Sequence, residues 1–193
     1  MKRIFDQGSF NLYRTSRLDE ARASIPDPYY SLQSKTTVFI SHKHDELDDL
    51  KGLIGFLEQN YNVKAYIDSR DPSLPKVTSA ATAQTIKQRI EKCDRFILLA
   101  TNGAIESRWC NWELGFGDAK KYKSKIALFL MKPVNSSEYL YKGLEYMRIY
   151  PYISYYDGSE KYTDGYPISA GYYVRTEDQN TSYIEPLSKW LKK

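Results

Sequence analysis

From Thr36 onward, short unbroken apolar runs alternate with longer amphipathic stretches, and this alternation constrains the fold more than any other feature of the chain. "TTVFIS" is followed by "LDDLKGLIGFLEQNY", then "VKAYID", "TAQTIKQRIEKC", "RFILLAT", "SRWCNWELGFGDAKKY" and "KIALFLM". The apolar runs are continuous, as strands buried on both faces require, whereas Leu50, Leu53, Ile54 and Leu57 recur at helical spacing. Strand and helix therefore alternate, which predicts an α/β fold: an open, mainly parallel sheet of about five strands with helices on both faces. Ser107 is placed to cap the helix that carries Trp109, and Asp45 puts a negative charge at the start of the first helix, where the dipole favours it.

A chain of 193 residues accommodates one such domain with extensions. We read residues 1–35 as an N-terminal extension, 36–156 as the α/β domain and 157–193 as a C-terminal extension packing on it. In the tyrosine-rich region beyond Met131, "RIYPYISYY" reads as a last, edge strand, "DGSEKYTDG" as turns and "YIEPLSKWLKK" as a closing helix. The net charge of +4 arises from interspersed Lys and Glu without a basic block, so no nucleic-acid partner is expected. Cys93 and Cys110 are the only cysteines and form no C-x-x-C pair, which argues against a disulfide scaffold or a zinc site. The polar N-terminus lacks a signal-peptide core and no apolar run is long enough to span a bilayer, so a cytoplasmic protein without a membrane partner is expected.

In open α/β sheets, ligands bind beyond the carboxyl ends of the strands, which directs attention to "HKHDE", "DSRDPSLPKVTS", "TNGAIES" and "MKPVNSS". In the helix that follows the third of these, Glu113 lies four residues after Trp109, on the same face and one turn away. Two arrangements satisfy this spacing. Trp109 and Trp112 can be core residues with Glu113 solvated, or the indoles can wall a cleft that holds the carboxylate. His42 and His44 alternate faces and have no third ligand at a suitable spacing, so no metal is expected. Cys110 has no basic partner that would activate it as a nucleophile, and "GFGDAK" falls inside a helix instead of at a strand-to-helix turn.

Three blocks in order give the segment from Thr36 to Tyr156 a family resemblance. "TTVFISHKHDE" resembles the first box of Toll/interleukin-1 receptor (TIR) domains, "YIDSRDPSLPKV" resembles their second strand and long loop, and "ESRWCNWEL" resembles the Ser-x-Trp-Cys-x-x-Glu-Leu pattern of their third helix. The resemblance implies a flavodoxin-like sheet and cleavage of NAD+ at the nicotinamide–ribose bond, with NAD+ as substrate and no cofactor. It puts Glu113 on the catalytic glutamate and Trp109 on the tryptophan of the same pocket. Ser41, His42 and Lys43 fall on substrate-contacting positions of the first loop, and Asp68 and Arg70 on a mobile covering loop. "HKHD" and the lack of Arg-Gly in the second loop depart from plant and animal members. A solitary domain of this kind resembles bacterial antiphage (Thoeris-like) proteins, which implies self-association and an ADP-ribose-derived signal read by a separate effector. Direct NAD+ depletion and a non-catalytic TIR–TIR interaction module are the competing expectations. A response-regulator receiver is disfavoured, because "LLATNG" carries no phosphoacceptor aspartate.

Overall fold

A computed structural model describes residues 1–14, 35–67, 80–137, 139, 141, 145–178 and 181–192. The β-branched run Thr36–Ser41 forms β2, flanked in the sheet by β3 (Val63–Tyr66) and β4 (Arg95–Ala100). β5 (Ile126–Lys132) and β6 (Tyr152–Tyr156) follow, and the strand order β3-β2-β4-β5-β6 is parallel throughout. This is the flavodoxin-like order, and its topological switch point lies between β2 and β4. All six residues of β4 are buried, as expected of a central strand covered on both faces.

The sheet extends further than the sequence pattern indicates. β7 (Gly171–Glu177) and β8 (Ser182–Pro186) add antiparallel to β6, so "YISYY" is an interior strand and not the edge. At the other end of the chain, β1 (Phe5–Asp6) pairs parallel with the end of β5, through Phe5 with Met131 and Asp6 with Lys132. Lys2 exchanges backbone hydrogen bonds with Tyr155 of β6 at 2.7 and 2.9 Å. β5 and β6 register only at Leu128 with Tyr152, and the N-terminal segment occupies the space where they diverge. Among the described residues the sheet has eight strands, five of them in the parallel set already named.

Helices cover both faces. α1 (Leu47–Tyr61) buries Leu50, Leu53, Ile54 and Leu57 against one face, together with Phe5, Phe10 and Phe129. The short closing helix α5 (Leu187–Trp190) packs on this face too, where Trp190 donates its indole N–H to the Ser124 carbonyl at 2.6 Å. Arg95, only 1% exposed, donates Nε to the Trp190 carbonyl at 2.8 Å and lies 5.2 Å from the indole ring centre, which satisfies a charge otherwise costly to bury. The opposite face carries α2 (Ala80–Lys92), with Ile86 and Ile90 buried, and α4 (Arg108–Lys120), preceded by the single turn α3 (Asn102–Glu106). A Cβ at Gly117 would lie 3.2 Å from Phe96 Cδ2, so glycine allows α4 to approach β4 closely.

Candidate active site

α4 begins where the sequence indicates, with the Ser107 hydroxyl accepting the Cys110 N–H at 3.3 Å. Its buried positions are Cys110, Glu113, Leu114 and Gly117, an i, i+3, i+4, i+7 stripe facing the sheet. Glu113 therefore occupies a core-facing position and is 0% exposed, which is incompatible with a solvated helix glutamate. These two tryptophans are only partly buried: Trp109 lies tilted against Trp112 with ring centres 4.8 Å apart, and Trp112 stacks on Phe116 at 6.2 Å with Lys87 over its ring.

The partner of Glu113 comes from β2. Ser41, the last residue of that strand and fully buried, donates its hydroxyl to Glu113 Oε2 at 2.5 Å. Ser41 pairs across the sheet with Leu98 of β4, so the hydroxyl–carboxylate pair sits at the switch point, at the carboxyl end of the sheet. His42 follows in the chain, 1% exposed, with Nδ1 3.3 Å from the Ile40 carbonyl, and its ring meets His44 edge-on at 6.0 Å. Lys43 points toward solvent and pairs with Asp45 at 3.3 Å. Of the residues put forward from sequence, Ser41 and Glu113 are in direct contact, His42 and Lys43 stand next to them in the chain, and Trp109 lies one helical turn from Glu113. Asp68 and Arg70 lie outside the described residues.

Two further residues complete this corner. Thr101, which follows β4, caps α3 by accepting the Ala104 N–H at 3.0 Å and donates its hydroxyl to Glu46 Oε2. A Cβ at Gly103 would lie 2.5 Å from Lys43 Cδ and 2.6 Å from Glu46 Oε1, so glycine leaves room for these two side chains to lie over the turn after β4. Burial pushes the Glu46 carboxyl above its usual range, against the Thr101 hydrogen bond and the charge of Lys43, while Asp45 and Asp49 push in the same direction as burial. Glu46 stands in the "HKHDE" loop, yet nothing in its spacing distinguishes it from a surface acid; only the β4 loop, distant in sequence, reveals its position.

Other chemistries find little support. Both cysteines are buried, and burial pushes the Cys93 thiol up to about 12, far from a reactive thiolate. Among the described residues, no group of three or more His, Cys, Asp and Glu side chains could hold a metal ion. No helix among them is long and apolar enough to cross a membrane.

Comparison with known proteins agrees with the geometry. Residues 38–165 match the family described as TIR domain. A protein of Bacillus cereus (strain MSX-D12) named "Probable 3' cyclic ADP-D-ribose synthase ThsB'" is 31% identical over 146 residues, which cover 74% of this chain and 74% of the relative. With its parallel sheet, its glutamate at the switch point and these matches, the chain belongs to the TIR domain family.

Proposed function

We propose that this protein cleaves NAD+ at the nicotinamide–ribose bond and closes the ADP-ribose part into a cyclic nucleotide that serves as a signal in antiphage defence. The observation that carries the reading is the buried Glu113 carboxylate held by Ser41 at the carboxyl end of the sheet. The similarity to a protein named as a cyclic ADP-ribose synthase supports it.

Nicotinamide in NAD+ is a cation that departs neutral, so its leaving needs no general acid, in contrast to glycoside hydrolysis with two carboxylates. One fixed carboxylate suffices. As the C1″–N bond breaks, its electron pair goes to nicotinamide and positive charge develops on the ribose. Glu113 stabilises that charge, and a site that excludes water strengthens the effect. Ser41 holds the carboxylate in place, so no reorganisation is needed when the charge develops. A hydroxyl of the adenosine ribose then forms the C1″–O bond and releases its proton, giving cyclic ADP-ribose, nicotinamide and H+. Exclusion of water at a fully buried carboxylate favours this internal capture over hydrolysis to ADP-ribose.

NAD+ is thus the substrate and no cofactor or metal is required. A separate effector reads the product, and self-association brings protomers together. The test is chromatography with mass detection of NAD+ incubated with the protein at low and high concentration. A product with the mass of ADP-ribose less one water supports the reading, and its retention identifies the isomer. ADP-ribose alone assigns the protein to NAD+ depletion, and no turnover under any condition supports an assembly module.

A further inference from the structure

The N-terminal segment, the β5–β6 crossover and the end of β7 line a concavity of about 380 Å³ formed by Arg3, Ile4, Leu130, Tyr141, Arg148, Tyr152 and Glu177. Its size falls within the range of about 300–1,000 Å³ usual for small-molecule sites. Leu130 and Tyr152 belong to the same sheet face as α4. Leu130 pairs with Ala100, and Ser41 with Leu98, so the concavity lies two strands from the Ser41–Glu113 pair, on the order of 10 Å across the sheet.

Its electrostatics are those of an anion site. Glu177 is the one acid among the lining residues, and it is already engaged. It accepts the Tyr152 hydroxyl at 2.7 Å, the Arg175 Nε at 2.9 Å, and lies 3.4 Å from Arg3 Nη1. Arg148 forms no ion pair with any described residue, so the lining holds two guanidiniums, Arg3 and Arg148, against one carboxylate that Arg175 also engages from outside, and the space keeps excess positive charge. Burial pushes the Tyr141 phenol up, and the charges of Glu177, Arg148 and Arg3 all act on it, as expected if these groups face one space.

The cations stand on fixed supports. Arg3 lies between Lys2, hydrogen-bonded to the Tyr155 backbone, and the β1 pairing at Phe5. Arg148 belongs to the 3₁₀ turn Glu145–Ile149, which is pinned by fully buried Met147 and by the Tyr146 hydroxyl donating to Asn111 Oδ1 at 2.6 Å. The Tyr141 ring is stacked on Tyr139, 5.8 Å between centres, and Tyr139 is tied to the Ala100 carbonyl at 2.6 Å.

We propose that this concavity binds a small diphosphate-bearing molecule, with the guanidiniums of Arg148 and Arg3 on the phosphate oxygens and Tyr141 against any attached ring. Guanidinium forks match phosphate oxygens in pairs, and the volume exceeds what a single phosphate would fill. The proposal stands whether or not Glu113 cleaves NAD+. Titration calorimetry of the full chain with inorganic pyrophosphate and with ADP tests it, alongside Arg148→Glu and the milder Arg148→Ala. Both probes are expected to bind, with at least tenfold loss for Arg148→Glu, a smaller loss for Arg148→Ala and weakening by added salt. Tighter binding of ADP than of pyrophosphate identifies a nucleotide ligand, and equal affinity identifies recognition of the diphosphate alone; either supports the site. Because Arg148 is exposed, the variants should keep the wild-type melting temperature. Binding of neither probe, or affinities that both Arg148 variants leave unchanged, overturns the proposal.

Discussion

Replacing Ser41 by alanine removes the hydroxyl that donates to Glu113 Oε2 over 2.5 Å, at a carboxylate with 0% exposure. The space left by one oxygen atom is smaller than the ~30 Å³ share of a water molecule, so solvent does not restore the bond. A hydrogen bond to a charged group contributes about 1.5–3 kcal/mol, and Ser41→Ala should lower the unfolding free energy by that amount. At about 2–4 °C per kcal/mol for a chain of this size, the midpoint falls by roughly 3–12 °C. In a Glu113→Gln background the same hydroxyl faces a neutral amide, and its loss should cost only about 0.5–1.5 kcal/mol. The difference between the two costs, about 1 kcal/mol, measures the charge on Glu113 as Ser41 sees it. Urea denaturation of the four proteins at pH 7, followed by tryptophan fluorescence, gives the complete cycle. Equal costs in both backgrounds, within the ~0.5 kcal/mol expected for independent sites, would refute an ionised Glu113 held by Ser41.

Glu46 has its carboxyl raised by burial, so its ionised form is disfavoured in the folded state. Its contribution is fully present below the unfolded value of 4.5 and is lost as pH rises through the higher folded value; Glu46→Gln should therefore melt above the wild type at pH 8 and level with it near pH 4, measured by thermal scans across that range. Gly103→Ala puts a methyl 2.5 Å from Lys43 Cδ and 2.6 Å from Glu46 Oε1, so the ends of these two flexible side chains must swing aside; we expect less than about 1 kcal/mol of destabilisation, read from melting, and a raised KM for NAD+ from the displaced Lys43, read from steady-state kinetics. Trp190→Ala removes an indole 3% exposed and uncovers Arg95, at an expected cost of about 3–5 kcal/mol, visible by calorimetry as a large drop in midpoint.

The parallel core was legible because its strands are buried on both faces and leave unbroken apolar runs, as in "RFILLA". β7 and β8 were not, since "GYYVRTE" and "SYIEP" mix exposed and buried positions and are organised by pairing with β6, a tertiary effect. β1 is two residues long, too short for any periodicity, and exists because β5 and β6 diverge. At the site, spacing placed Trp109 and Glu113 on one helix face but did not decide which of the helix residues faced the sheet. That depended on Cys110, Leu114 and Gly117 forming the inner stripe with Glu113. Thr101 and Glu46 are 55 residues apart, and their contact follows from the adjacency of β2 and β4 at the switch point, which only the folded sheet reveals.

The central claim is that Glu113 carries the chemistry at the end of β2, and the most direct measurement is loss of NAD+ over time for the wild type beside Glu113→Gln, both confirmed folded by their melting curves. The account predicts nicotinamide release by the wild type and a loss of at least a hundredfold in the glutamine form, which keeps the shape of the side chain but not its charge. Equal rates in the two proteins would contradict it and move the reaction elsewhere in the molecule.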